Sequence, residues 1–343
     1  MVLDTFTRTT TAELKGLAIS LMLFLHLFHG SDTITKYTSF CYIGHDTLTH
    51  ILSSLCNPVY AFTFLSGYGL FIAYSSQGRL NVWQRLNALY LKYWLSLIIF
   101  VFMGYCLGLG DKYPGSWLMI LENVTSWKTS YNGTIWFLFP YSVLLVASPK
   151  IFYFINSIHR NWSYVAVFVL FVVCSMLLHW YGSFLISNHP LYVIEHIAEL
   201  LIPFIIGMIF VRDIKYSVIK KKLYGQGTTV VVLLLFIFCF IGILIRDWPL
   251  GLFTPIYVLG LYIYISLINI PKYLSRVLCS LGKHSTSIWF IHAYYCWYFF
   301  PNEVYSLKYP IFIFLGLLGS SYVSALLLDF MFKGLFSKVF KLN

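Results

Sequence analysis

Apolar runs long enough to cross a bilayer recur along this chain, centred near residues 22, 66, 98, 141, 172, 204, 237, 260, 293 and 320. About 20 apolar residues rising 1.5 Å each cross a hydrocarbon core ~30 Å thick, and in lipid a helix satisfies its own backbone. The pattern predicts an all-α polytopic membrane protein of about ten transmembrane helices. A soluble chain of 343 residues has no interior for side chains that are 59% hydrophobic and 20% aromatic, with only 10% charged. The first run follows Glu13 and Lys15 and has no small-residue cleavage site behind it, so it reads as a retained helix and not a signal peptide. Residues 1–343 read as a single transmembrane domain, without low-complexity tract or clear repeat.

The chain carries 23 Lys and Arg against 12 Asp and Glu, a formal net charge of +11. In a soluble protein such an excess suggests nucleic acid; here it follows topology. With the N-terminus in the cytoplasm, Lys36, Lys112, Lys128, Arg246 and Lys308 fall in outer loops and the other eighteen basic residues, Lys338 and Lys341 among them, on the inner side. That bias predicts an even number of spans with both termini cytoplasmic and assigns the charge to the membrane, not to nucleic acid. Seven cysteines without CxxC spacing read as small helix fillers, and no metal centre is expected. Trp117, Trp127, Trp136, Trp162, Trp180 and Trp248 lie near span ends and read as an aromatic belt. Pro58, Pro140, Pro203 and Pro255 lie in or beside apolar runs, which predicts kinked or broken helices around a cavity. Asn123-Val-Thr and Asn132-Gly-Thr match the glycosylation tripeptide, which is common by chance.

The first run, "ELKGLAISLMLFLHLFHG" from Glu13 to Gly30, holds groups that lipid penalises. Lys15 and His26 are eleven residues apart. At ~100° per residue that advance is about 20° beyond three turns, so both side chains share a face, about 16 Å apart along the axis. His26 then sits near mid-membrane, where an ionisable group is a candidate site residue, and His29 follows one turn further out. Lys15 taken alone also reads as a boundary lysine that snorkels to the surface.

A basic residue, ten intervening residues and a histidine on the first span resemble the signature of the acyltransferase family 3 membrane O-acyltransferases. Leu14-Lys15-Gly16 stands where that family has a Leu-Arg-Gly-like tripeptide. "FTFLSGYGLF" from Phe62, "TIWFLFPYSVLL" from Thr134, "FIIGMIF" from Phe204 and "SIWFIHAYY" from Ser287 resemble its second, fourth, sixth and late spans, in order. The family's RxxxR-like cluster is incomplete: Arg85 and Lys92 remain, but Asn87 and Ala88 stand where a second arginine would. Tyr60 stands where some members have an aspartate, which leaves His26 without an assigned acidic partner.

The resemblance implies transfer of a short acyl group, acetyl in the simplest case, from acyl-CoA to a hydroxyl of a cell-surface or exported glycan or a lipid-linked sugar. It implies a multi-pass enzyme of a bacterial cytoplasmic membrane with acyl-CoA as donor substrate and no tightly bound cofactor. His26 would be the general base or a transient acyl carrier. Lys15, Arg85 and Lys92 would meet the phosphates of CoA. Ser66 and Tyr68 are candidates for an oxyanion contact, though Ser66 and Gly67 are equally what close helix packing uses. His29 and His292 are further candidates, His292 equally as a core hydrogen-bonding group. A transporter or flippase for lipid-linked sugars, or a polysaccharide polymerase, would also need many spans, but no inverted repeat and no large outer loop is present. Homo-oligomerisation is left open.

Overall fold

The computed structural model describes residues 4–224, 228–245 and 253–340. Arg246, Trp248 and Lys341 lie outside the described residues, as do the side chains of Pro255 and Lys338. The helices are α1 Arg8–Phe28, α2 Leu48–Ser54, α3 Pro58–Gln77, α4 Val82–Cys106, α5 Trp117–Val124, α6 Leu138–Ser157 and α7 Arg160–Ser187. They continue as α8 His189–Asp213, α9 Tyr216–Tyr224, α10 Thr228–Ile245, α11 Phe253–Leu267, α12 Lys272–Ala293, α13 Pro301–Tyr305 and α14 Pro310–Phe340.

Among the described residues, 7 helical segments are long and apolar enough to span a membrane: Arg8–Phe28, Leu48–Gln77, Val82–Cys106, Gly133–Ser157, Arg160–Ser187, His189–Asp213 and Pro310–Phe336. The remaining three apolar runs of the sequence fall on α10 and α11, whose described apolar stretches Val232–Leu244 and Tyr257–Leu267 are shorter, and around the end of α12. The part of α12 from Lys272 to Lys283 carries Lys272, Arg276 and Lys283, while Ile288 to Ala293 are buried.

Two helix crossings are close enough to require glycine. A Cβ on Gly16 of α1 would collide with the Leu278 carbonyl of α12, and one on Gly282 with the Ala12 carbonyl of α1. Gly67 of α3 and Gly207 of α8 do the same against Phe204 and Phe64. Small residues let backbones touch where lipid supplies no hydrophobic drive between helices. Because Ala12 and Gly16 meet Gly282 and Leu278 while His26 meets His292, α1 and α12 run in the same direction.

Several local features depart from the sequence reading. The polar stretch 31–55 contains a short hairpin, Tyr42–Ile43 paired antiparallel with Asp46–Thr47, and then α2. Pro58 starts α3, where a missing N–H costs nothing, instead of kinking it. Asn123 and Asn132 are buried and tie their own loops together: Asn123 Nδ2–H donates to Met119 O and Ser130 Oγ at 2.8 Å each, and Asn132 Oδ1 accepts from Thr134. Both sequon asparagines are buried in the folded chain. Trp117, Trp162 and Trp180 are exposed, as a belt requires. Trp127 and Trp136 are not belt residues; their rings pack on protein, against Phe139 and His189 and against His196 respectively.

Candidate active site

The last four carbonyls of a helix have no partner inside it, and in a membrane they must find one elsewhere. At the end of α1 each is satisfied. His29 N–H donates to Leu25 O at 3.0 Å, Trp297 Nε1–H to His26 O at 3.0 Å, Tyr305 O–H to Leu27 O at 2.7 Å and His50 Nδ1–H to Phe28 O at 3.0 Å. The turn that carries His26 is therefore clamped by side chains from three other segments.

Ten residues beyond the Gly16–Gly282 crossing on each helix, His26 Nδ1 and His292 Nε2 lie 2.7 Å apart with their rings parallel within 8°. The backbone sets the tautomers. His292 Nδ1 lies 2.9 Å from Trp289 O and 3.2 Å from Ile288 O. A carbonyl only accepts, so His292 Nδ1 carries the hydrogen and the neutral ring accepts at Nε2. His26 Nδ1–H is then the donor, and the lone pair of His26 stands on Nε2. The missing acidic partner of His26 is thus a second imidazole, fully buried, whose own orientation comes from helix carbonyls.

His26 lines a cavity of ≈ 250 Å³ that also receives Lys15, Ser66, Arg85, Trp136, Tyr141, Ser285 and Thr286. Lys15 and Arg85 are close enough to repel one another, so one end of the cavity concentrates positive charge. Among the described residues they are the only lysine or arginine lining it, and neither has an ion-pair partner there. Two unpaired cations in a low-dielectric wall attract an anion. A second cavity of ≈ 340 Å³ is lined by Trp127, Lys128, His189, Tyr192 and His196, and Trp136 forms a wall of both. The turn Gly133–Phe137 that carries Trp136 is pinned to α12 by Trp289 Nε1–H to Thr134 O at 2.9 Å and Asn132 Nδ2–H to Phe290 O at 3.1 Å.

Of the candidate residues, Lys15, His26, Ser66 and Arg85 line the central cavity, with His292 directly behind His26. Three others stand elsewhere. Tyr68 is buried, and its hydroxyl accepts from the Phe6 backbone. Lys92 is paired with Asp329 at 2.7 Å, and Asp329 also accepts from Ser287 and contacts His284. His29 stacks on His50 at the surface, ring centroids 5.7 Å apart. Burial, and then the neighbouring His50, lower the basicity of His29 below the usual imidazole value. Trp136 was read in the sequence only as a belt residue, and Tyr141 and Thr286 were given no role, because an aromatic or hydroxyl residue in an apolar run carries no mark of the face it occupies.

The fold is that of a polytopic helical protein with a cavity among its helices, lined by Lys15, Arg85 and His26, with His292 behind His26. The acyltransferase family 3 profile, described as an acyltransferase domain, matches residues 14–329, nearly the whole chain. The chain belongs to that family and is a membrane acyltransferase. Neither a curated protein nor a solved structure matches it significantly.

Proposed function

We propose that the enzyme transfers a short acyl group, acetyl in the simplest case, from cytoplasmic acyl-CoA to a hydroxyl of a surface or exported glycan, in a bacterial cytoplasmic membrane. The observation that carries the reading is the single cavity shared by Lys15, Arg85 and His26, whose Nδ1 is turned to His292. Phosphates of CoA would be held at the Lys15–Arg85 end. The cavity is small beside a typical ligand pocket of about 300–1,000 Å³, so only the thioester arm would enter, about 16 Å deep along α1 to reach His26.

A sugar hydroxyl is a weak nucleophile at neutral pH. His26 Nε2 would accept its proton as the oxygen attacks the thioester carbon, and general-base assistance of this kind is worth about 10²–10⁴-fold. When the C–S bond breaks, the proton would pass from His26 to the departing CoA sulfur, which restores the neutral ring. Ser66, which lines the same cavity, would donate to the developing oxyanion. The second cavity, with Trp127, Trp136 and Tyr192 among its walls, supplies the flat rings and nearby polar groups on which a sugar would rest, and Trp136 would separate acceptor from donor.

The test uses membranes holding the overproduced chain, supplied with acetyl-CoA labelled in the acetyl group and with glycan from the same cells. Label is expected in alkali-labile ester on the glycan, and none with His26→Ala membranes. Native membranes that turn over no acetyl-CoA and label no glycan would overturn the proposal.

A further inference from the structure

The outer wall of the second cavity leads to a group of residues that acyl transfer does not use. Glu195, His196 and Glu199 lie on α8 within an arc of about 100° at ~100° per residue, and one ligand atom from each lies within 4.8 Å of the other two. Glu199 accepts from the Tyr60 hydroxyl of α3. One oxygen of Glu195, Oε2, is paired with His196 Nδ1. The other, Oε1, is buried with no hydrogen-bond partner, although the side chains of Glu195 and His196 are only 10% and 14% exposed. Among the described residues no lysine or arginine is paired with either carboxylate.

Two carboxylates held together in a membrane, one with an orphaned oxygen, are short of positive charge. A metal ion would supply it. We propose that Glu195, His196 and Glu199 bind one divalent cation of the borderline class, Zn²⁺ or Mn²⁺. An imidazole beside two carboxylates suits these ions, whereas Ca²⁺ and Mg²⁺ favour all-oxygen sets. Ligand atoms at about 2.1 Å from a shared ion are at most about 4.2 Å apart, so side-chain rotations of under about an ångström gather the three. Tyr60 remains on Glu199 as an outer partner that orients the ligand, and this joins α3 to α8. His196 also lines the second cavity, so an ion held by these residues would lie beside that cavity and could draw water from it.

The test is independent of the acyl-transfer reading. Full-length chain in detergent is stripped with chelator, reloaded separately with Zn²⁺ and with Mn²⁺, desalted, and its metal measured by plasma mass spectrometry. One equivalent of one of the two ions is expected, and affinity reduced at least about 100-fold in Glu195→Gln and in Glu199→Gln. Absorption spectroscopy on the native chain at the metal edge is expected to show one imidazole and carboxylate oxygens around the ion, which keeps the location testable even if a variant does not fold. Failure of the native chain to retain either ion, folded variants that retain it as tightly, or a shell with two or more imidazoles would each overturn the proposal.

Discussion

Replacing His292 by leucine removes the acceptor of His26 Nδ1–H while filling a site that is fully buried. Nothing then favours the tautomer with its lone pair on Nε2, and a donor is left without a partner. The cost of such an orphaned group is about 1–3 kcal/mol, which at 1.4 kcal/mol per decade is about 5- to 150-fold in the fraction of rings ready to take a proton. The Lys15–Arg85 end of the cavity is untouched, so kcat should fall by that factor while KM for acyl-CoA stays near native. His292→Gln keeps a carbonyl that can accept from His26 and should recover most of the loss. His26→Ala should lose about 10²–10⁴-fold, and adding His292→Leu to it should cost little more, because the second residue acts through the first. The assay is acetyl-CoA turnover by purified chain in liposomes over a range of donor concentrations. Native kcat in His292→Leu, a glutamine variant as poor as leucine, or losses that multiply in the double variant would refute the tautomer argument.

Arg85→Ala should raise KM for acyl-CoA, whereas Lys92→Ala, which leaves Asp329 with only Ser287 and His284, should lower the unfolding temperature with KM nearly unchanged; donor titrations and thermal scans on both variants separate the two. Gly282→Leu should drive α1 and α12 apart against the Ala12 carbonyl, costing at least about 1–3 kcal/mol and most of the activity, while Gly69→Ala, with open space around it, should be tolerated; thermal unfolding of both variants checks this. The basicity of His29 is depressed from its ordinary 6.5, so the unfolded chain binds the extra proton first. Its contribution to stability should be complete above that value and lost as pH falls through the lower folded pKa. Protection factors for hydrogen exchange in residues 31–54, taken relative to the intrinsic rate at each pH, should therefore fall with acidification, and His29→Gln should flatten the trend; an equal acid response in the variant would contradict the assignment.

What the sequence made legible was local. The Lys15–His26 alignment follows from helical periodicity within one span, and the two residues do line one cavity. Apolar run length likewise showed where helices form. The His26–His292 contact joins residues 266 apart in sequence, and no periodicity carries that information. It depends on Gly16 and Gly282, each of which alone is an ordinary membrane glycine. Ser66 and Gly67 were ambiguous between site and packing, and adjacent positions took different roles: Ser66 faces the cavity and Gly67 touches α8. Trp136 fitted a belt because position near a span end is all that a sequence shows; the side of the helix was hidden. Lys92 carries the same charge as Arg85, seven residues earlier, yet Asp329 of a distant helix holds it. The run Glu195-His196 followed by Glu199 was visible as letters, but the orphaned oxygen exists only once α8 is packed.

The most direct test of the central claim is the ester-linked acyl content of surface glycans, measured by mass spectrometry in three cell lines: native, gene-deleted, and deleted but carrying a well-expressed His26→Ala chain. The ester is expected to vanish on deletion and to stay absent with the substituted chain. Esters that persist in the deleted line, or return with His26→Ala, would contradict acyl transfer at this histidine.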